Sequence, residues 1–262
     1  VKKLFNEADK ILEFSISSLI LEGPKDQLDL TENTQPAIFL VGYSIFQLLK
    51  KEFKLDLNKA NFFAGHSLGE YTALVCAGSL SIEKAAYLLH ERGKAMQEAV
   101  PKGQGAMVAV LGMSIAEVEK EISMLPKKEI CEIANDNSDS QIVVSGTNTA
   151  IKILNENLKN KKKKGIILPV SAPFHCSLMK KASDNMKDKI EKTDFLNPNT
   201  SIISNVTAKE ENDANNIKSL LVEQITSRVR WRESVDYMIK KGVTDFIEIG
   251  PGKVLSGLVK KI

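Results

Sequence analysis

The sequence is poor in the residues on which small secreted proteins and metal proteins depend. Its 262 residues include three cysteines and three histidines. Because Cys76, Cys131 and Cys176 are odd in number and share no metal-ligand spacing, they exclude a disulfide scaffold and favour free thiols in a reducing compartment. No apolar run approaches the ~20 residues of a membrane span. We therefore expect a cytoplasmic protein with neither a metal site nor a membrane segment.

The sequence also has no strong excess of one charge. It contains 36 basic and 33 acidic side chains, so its formal net charge is +3. Such a balance does not indicate nucleic acid binding. Hydrophobic residues make up 43% and charged residues 26%, as in ordinary globular domains. A chain of this length and composition can bury a sizeable core.

Hydrophobic periodicity divides the chain into an outer part and an insert. Residues 1–104 and 171–262 alternate helices with strands, which predicts an α/β core with a mostly parallel sheet. Residues 105–170 have the order strand, helix, strand, strand, helix, strand, which predicts a ferredoxin-like subdomain. The predicted helices of the core are 2–21, a helix opened by Pro36 at its first position, 71–77, 81–100, 177–192, 217–226 and 233–241. The other predicted elements are core strands 60–65, 200–205 and 244–249, insert strands 106–111, 129–134, 141–145 and 165–170, and insert helices 114–124 and 147–160.

The sharpest motif is Gly-x-Ser-x-Gly at 65–69, between a predicted strand and a predicted helix. This context is typical of a nucleophile elbow, in which the flanking glycines avoid a steric clash in a tight turn. Ser67 would then stand exposed at the end of the strand, and the Leu68 amide at the helix N-terminus could donate to an oxyanion. The alternative is an ordinary turn in which Ser67 is the helix N-cap.

A serine nucleophile needs a base, and the chain offers three histidines. His66 adjoins Ser67, so its side chain should point away from the serine. His90 lies inside a predicted helix and is more typical of packing. His175 lies on a proline-stiffened loop where the core resumes after the insert, which makes it the best base candidate. A structural histidine remains an equal alternative at that position.

Arg92 lies in a mostly apolar predicted helix. Its planar guanidinium could bind a carboxylate with two parallel hydrogen bonds. The alternative is a solvated helix arginine that pairs with a nearby glutamate.

With these residues in place, the sequence resembles the malonyl-CoA:acyl carrier protein transacylases and the acyltransferase domains of polyketide synthases. The matching blocks follow the family order and cover nearly the whole chain. They are GHSLGEY (65–71), ERGKAMQ (91–97), AN (134–135), VVSG (143–146), SAPFH (171–175), EQ (223–224), VRW (229–231) and EIGPGKVL (248–255).

The resemblance implies an α/β-hydrolase-like core with a ferredoxin-like insert, and it implies a role for each matched residue. Ser67 would be the acylated nucleophile and His175 the general base. Arg92 would bind the free carboxylate of the malonyl group, and the Leu68 amide would donate to the oxyanion. The backbone carbonyl of Gln224 would orient the histidine in place of an acid.

The resemblance further implies selectivity, partners and cofactor use. Phe174 matches the malonyl-selective form of its loop, since relatives that take methylmalonyl have a smaller residue there. Malonyl-CoA and acyl carrier protein would be the partners, the CoA thioester being a substrate, with no cofactor and a monomeric enzyme. Lysines together with Arg228, Arg230 and Arg232 could form a landing surface for the acidic carrier protein; scattered solvated charge is the alternative.

The sequence departs from the family pattern at its start. Family members begin with a strand and a Gly-Gln-Gly-Ser-Gln loop that supplies the second oxyanion amide, and nothing like it occurs here. Since the chain begins at Val1 and not at Met, we expect a piece of a longer protein. Loss of one oxyanion donor typically lowers turnover about a hundred- to a thousandfold.

Two other classes of function stay open at this stage. A serine hydrolase or thioesterase would share the Gly-x-Ser-x-Gly turn but needs an acid between its serine and histidine in chain order. An inactive relative that only binds carrier protein would be consistent with the missing loop.

Overall fold

The structure is a computed structural model that describes residues 2–170 and 172–262, the side chain of Asn58 excepted. It is a mixed α/β fold. None of its described helices combines the length and the apolar character that a membrane crossing requires. The helices are α1 (Lys2–Leu12), α2 (Ile16–Glu22), α3 (Lys25–Leu28), α4 (Thr31–Lys51), α5 (Gly69–Cys76), α6 (Ile82–Glu98), α7 (Ile115–Ser123), α8 (Asn148–Asn160), α9 (Lys180–Lys192), α10 (Ala214–Gln224), α11 (Trp231–Lys240) and α12 (Val254–Val259), with short 3₁₀ helices at Leu57–Lys59 and Ser177–Met179. The strands are β1 (Phe63–Ala64), β2 (Gly105–Leu111), β3 (Cys131–Ser138), β4 (Gln141–Thr147), β5 (Lys164–Ile167), β6 (Ile202–Ile203) and β7 (Glu210–Glu211).

The strands form two sheets. One has the order β1-β6-β7, in which β1 and β6 are parallel and β6 and β7 antiparallel. The other has the order β3-β4-β2-β5 and is antiparallel throughout. The predicted order strand, helix, strand, strand, helix, strand is confirmed between β2 and β5. Among the described residues, β1 and β6 are the one parallel pair of strands, beside an isolated parallel bridge between Asn135 and Val229. A mostly parallel sheet therefore stays a prediction, as does the division into two domains.

The predicted first helix, 2–21, is wrong as a single element. The backbone turns at Glu13, which has a φ of 60° and ends α1. Ser15 then caps α2, since its side chain accepts a hydrogen bond from the amide of Ser18. The apolar stripe continues across the break, and periodicity alone therefore joins two helices into one.

The predicted start of α4 at Pro36 is also wrong, because the helix begins five residues earlier at Thr31. Proline has no N–H, so the Glu32 carbonyl lacks its ordinary donor four residues on. The Nδ1 atom of His90 lies 2.9 Å from that carbonyl oxygen and supplies the missing bond. A contact from α6 thus allows a proline inside α4, and it gives His90 a structural role.

Gly93 on α6 packs against the first turn of α4. A Cβ at this position would lie 2.4 Å from the Cα of Glu32, which is closer than atoms pack. We expect Gly93→Ala to lower the free energy of unfolding by about 1–3 kcal/mol through overpacking. Gly257→Ala is the control, because a Cβ on α12 meets no atom within 4 Å, and it should add about 0.5–1 kcal/mol by helix propensity. Urea unfolding of both variants checks this; equal changes would contradict the close packing.

The predicted strand 244–249 is wrong. No backbone amide of this segment enters a ladder with a described residue, and Ile247 is 64% exposed. A strand needs a neighbour to supply its hydrogen bonds, and the residues of the segment cannot provide one. The segment is held instead by Glu248, whose carboxylate accepts hydrogen bonds from the amides of Leu255 and Ser256 at 3.0 and 2.7 Å.

The antiparallel sheet is joined to the rest of the protein through residues before α11. The Asp136 amide donates to the Val229 carbonyl, and the Val229 amide donates to the Ala134 carbonyl. The side chain of Asp136 is completely buried and accepts two bonds, at 3.1 and 2.8 Å, from the guanidinium of Arg232. This two-bond pair compensates the buried charge and fixes the sheet beside the loop that carries His175.

Candidate active site

The turn between β1 and α5 has the geometry of a nucleophile elbow. Ser67 has a φ of 53°, a left-handed conformation that a non-glycine residue adopts at a cost. A Cβ on Gly65 would lie 2.0 Å from the Gly69 carbonyl, so the turn requires glycine there. The expectation that the turn also needs glycine at position 69 to avoid a clash is wrong, because a Cβ added to Gly69 meets no atom within 4 Å. The N-cap of α5 is Leu68, without a side-chain cap, so Ser67 does not cap the helix.

Ser67 and His175 are hydrogen-bonded, with 2.8 Å between Oγ and Nε2. The other ring nitrogen, Nδ1, lies 2.9 Å from the backbone carbonyl oxygen of Gln224. A carbonyl only accepts, so Nδ1 carries the proton and Nε2 is left to accept the proton of the serine hydroxyl. Like Ser67, His175 has a positive φ, 58°. The structure thus brings three residues predicted from separate motifs into one contact chain.

Burial holds His175 in its neutral form. The residue is 4% exposed. Its desolvation, and then the positive charge of Arg92, lower its pKa to about 3. The imidazole is therefore uncharged and able to accept a proton throughout the neutral range.

Arg92 lies beside Ser67 and is 1% exposed. Its Nη2 atom donates to Ser67 Oγ at 3.1 Å and to Gln224 Oε1 at 2.8 Å, and its Nη1 atom donates to Gln35 Oε1 at 2.6 Å. All three acceptors are neutral, and the Nε atom has no partner among the described residues. Burial lowers the pKa of this guanidinium.

The expected ion pair of Arg92 with a neighbouring glutamate does not form. Glu91 pairs instead with Lys189 at 2.9 Å and Lys94 at 3.7 Å. Within the described part of the chain, no carboxylate is ion-paired with Arg92. A buried guanidinium held only by neutral acceptors has a large electrostatic cost that an incoming anion would offset.

Two polar residues that the motifs did not single out support this group. Asn205 Oδ1 accepts from the Ser67 amide at 2.7 Å, while its Nδ2 donates to the Gly65 carbonyl at 2.7 Å. Glu70 Oε2 accepts from Gln224 Nε2 at 2.7 Å and from the Asn205 amide at 3.1 Å. A signal for Asn205 existed, since it is the last residue of the predicted strand 200–205, and side chains meet at the carboxyl ends of strands.

The remaining predicted residues surround the reactive pair. The Leu68 amide donates to no group of residues 2–170 or 172–262 and belongs to the unsatisfied first turn of α5. Phe174 packs against both the large core and the face of the antiparallel sheet. Ser171, the first residue of the SAPFH block, lies outside the described residues.

The other two histidines do not contact Ser67. His66 Nε2 lies 2.9 Å from Asn137 Oδ1, and burial lowers the pKa of its ring. His90 instead bonds to the Glu32 carbonyl of α4 through Nδ1. The base candidate His175 is therefore the one histidine of the chain that the structure places beside the serine.

An open cavity of about 420 Å³ leads to His175. It lies between α7, β3 and residues 226–228, and its lining includes Cys131, Glu132, Thr226 and Arg228. In the part of the chain that is described, no group of three or more His, Cys, Asp or Glu side chains is placed to hold a metal ion. The cavity reaches His175, while Ser67 and Arg92 are not part of its lining.

The three predicted landing arginines are engaged with carboxylates of the chain itself. Arg230 forms an ion pair with Glu233, and Arg228 lies 3.6 Å from the same side chain. Arg232 is held by Asp136. A docking role for these arginines stays a prediction.

The chain is similar to known acyl transferases. A family model described as acyl transferase domain matches residues 2–261. The chain is 46% identical over 264 residues to the malonyl CoA-acyl carrier protein transacylase of Bacillus subtilis strain 168, covering all of this chain and 82% of that protein.

Two solved structures of transacylases are similar to this chain over nearly its whole length. The malonyl CoA-acyl carrier protein transacylase of Coxiella burnetii superposes with a TM-score of 0.95 at 38% identity, over 99% of this chain and 82% of that one. A malonyl-transacylase in complex with a type II polyketide synthase acyl-carrier protein superposes with a TM-score of 0.94 at 37% identity, over 99% and 84%. Both likenesses extend over the whole site.

Proposed function

The chain belongs to the acyl transferase domain family, and on this premise we propose that it transfers the malonyl group from malonyl-CoA to the phosphopantetheine thiol of acyl carrier protein. The observation that carries the proposal is the buried guanidinium of Arg92, which lacks a carboxylate partner and donates to Ser67 Oγ at 3.1 Å. A malonyl group carries a free carboxylate that meets that need. An acetyl group would leave the charge unpaired.

The first half of the reaction forms a malonyl ester on Ser67. His175 Nε2 accepts the hydroxyl proton while Oγ attacks the thioester carbon. The carbonyl of Gln224 holds the Nδ1 proton and stabilises the imidazolium that forms. The amide of Leu68 donates to the oxyanion. When the tetrahedral intermediate collapses, the C–S bond breaks and the CoA sulfur leaves with the proton of His175.

The malonyl carboxylate lies on Arg92 throughout. The guanidinium offers N–H groups in one plane, and the neutral acceptor Gln35 yields to a carboxylate, which is a stronger acceptor, while Gln224 keeps its bond to Nη2. Because this contact fixes the far end of the acyl group, the thioester carbon is presented to Ser67. Phe174 beside His175 restricts the room for a branched acyl group.

The second half returns the acyl group to sulfur. The carrier thiol enters along the cavity beside His175, which removes its proton, and the thiolate attacks the ester carbon. Ser67 then leaves with that proton. Since one thioester replaces another, the exchange needs no cofactor.

Three broader statements belong to the same proposal. The core formed by residues 1–104 and 171–262 is α/β-hydrolase-like, with residues 105–170 as a ferredoxin-like subdomain; the parallel β1–β6 pair and the elbow support this. The enzyme acts as a monomer. It works in the cytoplasm, where the free thiols of its three cysteines persist.

The test is the intact mass of the protein after incubation with malonyl-CoA without an acceptor. We expect one malonyl group on the wild type, none on Ser67→Ala, and none from acetyl-CoA. The adduct should disappear when holo acyl carrier protein is added, with malonyl carrier protein as the product. Equal labelling of Ser67→Ala would contradict the nucleophile. Rapid release of free malonate without an acceptor would indicate a hydrolase instead.

A further inference from the structure

Glu70 is a buried carboxylate that the proposed reaction does not use. It is 1% exposed and lies in the first turn of α5, three residues after Ser67. Its Oε2 atom accepts from two neutral donors, Gln224 Nε2 at 2.7 Å and the Asn205 amide at 3.1 Å. Burial of a carboxylate without a cationic partner in contact is costly, so its retention calls for a function.

The first of these contacts leads to His175. The side-chain amide of Gln224 is held at both ends, because its Nε2 donates to Glu70 and its Oε1 accepts from Arg92 at 2.8 Å. The backbone carbonyl of the same residue orients His175 Nδ1. With its side chain fixed by a carboxylate and a guanidinium, Gln224 has little freedom to move the carbonyl that aims the imidazole.

The second contact leads to Ser67. The Asn205 amide donates to Glu70, and the Asn205 side chain holds the Ser67 amide and the Gly65 carbonyl, each at 2.7 Å. These bonds hold Ser67 in its left-handed conformation. Gln224 Nε2 adds a bond to the Ser67 carbonyl at 3.1 Å. One carboxylate therefore supports both sides of the reactive pair.

We propose, building on the function above, that Glu70 is a positioning residue whose ionised carboxylate aligns His175 through Gln224 and Ser67 through Asn205. The charge matters because Gln224 bridges Glu70 and Arg92, and a charged partner at each end of an amide strengthens both hydrogen bonds. Protonation of Glu70 removes one of these charges and loosens the bridge.

Burial of Glu70 places the ionisation of its carboxyl group in the neutral pH range. Burial raises the pKa of Glu70 to about 7, and its hydrogen bonds and the positive charge of Arg92 oppose a larger rise. The other groups that face it are Glu211 on β7 and the Tyr71 hydroxyl beside it on α5. His175, with a pKa of about 3, stays neutral over the same range. Loss of activity near neutral pH would therefore report on Glu70 and not on the base.

The experiment compares the rate of Ser67 acylation by malonyl-CoA in wild type and Glu70→Gln between about pH 5.5 and 9. The wild-type rate should rise with an apparent pKa near 7. Glu70→Gln keeps the size and an acceptor oxygen but never ionises, so its rate should be independent of pH and about 10- to 100-fold below the wild-type plateau. Glu121→Gln is the matched control, since Glu121 is also buried but pairs with Lys161 away from the site.

A second variant and a melting curve separate positioning from simple damage. Glu70→Asp retains the charge and should retain the rise with pH, at a reduced rate. Between pH 4.5 and about 7 folded Glu70 holds a proton that the unfolded chain has released, so wild-type stability falls as pH rises through this window. Glu70→Gln lacks this loss of stability, so above pH 7 it should melt at a higher temperature than the wild type. Its rate of Ser67 acylation should nevertheless be lower.

The outcomes distinguish the inference from the function on which it rests. A Glu70→Gln enzyme within twofold of wild type and with the same pH profile overturns the positioning role. A fluorophosphonate probe, which labels an activated serine whatever the natural substrate, gives the same comparison independently of malonyl-CoA. If Ser67 is labelled with the expected dependence on pH and Glu70 but takes no malonyl group, the proposed function fails and the positioning role stands.

Discussion

We expect Arg92→Ala to lose its preference for malonyl-CoA over acetyl-CoA. Removing one member of a buried charge pair costs about 2–5 kcal/mol, which corresponds to an about 30- to 5,000-fold slower acylation by malonyl-CoA. The acetyl group has no carboxylate to lose and no longer meets an unpaired guanidinium, so its transfer should be retained or increased. The measurement is kcat/KM for both thioesters with wild type and variant.

Acetyl transfer also serves as the internal control for folding. Arg92→Ala leaves the side chains of Gln35 and Gln224 without their donor, and retained acetyl transfer would show that the site survives this loss. Lys94→Ala is the matched surface control, because Lys94 lies on the same helix and contacts Glu91 at 3.7 Å without reaching the site. Unchanged malonyl-over-acetyl selectivity in Arg92→Ala would remove Arg92 from its role.

His175→Gln should slow acylation of Ser67 about 100- to 10,000-fold, the usual range for loss of a general base. Among residues 2–170 and 172–262, Nε2 of His175 is the one basic atom within hydrogen-bonding distance of Ser67 Oγ, since the other contact, from Arg92, is a donor. The measurement is the single-turnover rate of malonyl-enzyme formation. His90→Gln is the matched control, and an equal loss in that variant would refute the assignment.

The same variant should resist acid better than wild type. Unfolded His175 takes up a proton below its ordinary pKa of 6.5, whereas in the folded protein burial and Arg92 delay protonation to about pH 3. As pH falls between these values the unfolded chain binds more protons, so this residue lowers the stability of the wild type. Glutamine does not titrate. We therefore expect His175→Gln to unfold in acid at a lower midpoint pH than the wild type. A midpoint pH at or above that of the wild type would contradict the burial of a neutral imidazole.

The site illustrates how far local motifs reach. The sequence predicts Ser67 as a nucleophile because a strand, a Gly-x-Ser-x-Gly turn and a helix follow one another within about a dozen residues, and such features depend on local backbone geometry. The family resemblance, which the acyl transferase domain match confirms, carried the expectations for Arg92 and Gln224. Their roles stay predictions, while the distances that bring them to Ser67 are properties of the fold.

The contacts that complete the site join residues distant in sequence, and no spacing in the sequence predicts these contacts. Asn205 reaches the Ser67 amide across 138 residues, and Gln224 reaches Glu70 across 154. Neither spacing has a periodicity, because the contact depends on where the strands β1 and β6 and the helix α10 come together. The charge state of Glu70 likewise depends on burial and on Arg92, which no single segment reveals.

The sequence by itself determined the order and type of most elements and the chemistry of the reactive serine, because propensity, periodicity and tight-turn sterics act over a few residues. Only the tertiary structure decided which predicted segments pair with each other. It also decided which buried charges and unpaired backbone groups find a hydrogen-bond partner. Residues 244–249 are predicted as a strand but find no described neighbour to pair with, while Pro36 lies inside a helix because His90 replaces its missing bond. Hydrogen-bond partners and buried charges are supplied from elsewhere in the chain, and packing alone brings them into contact.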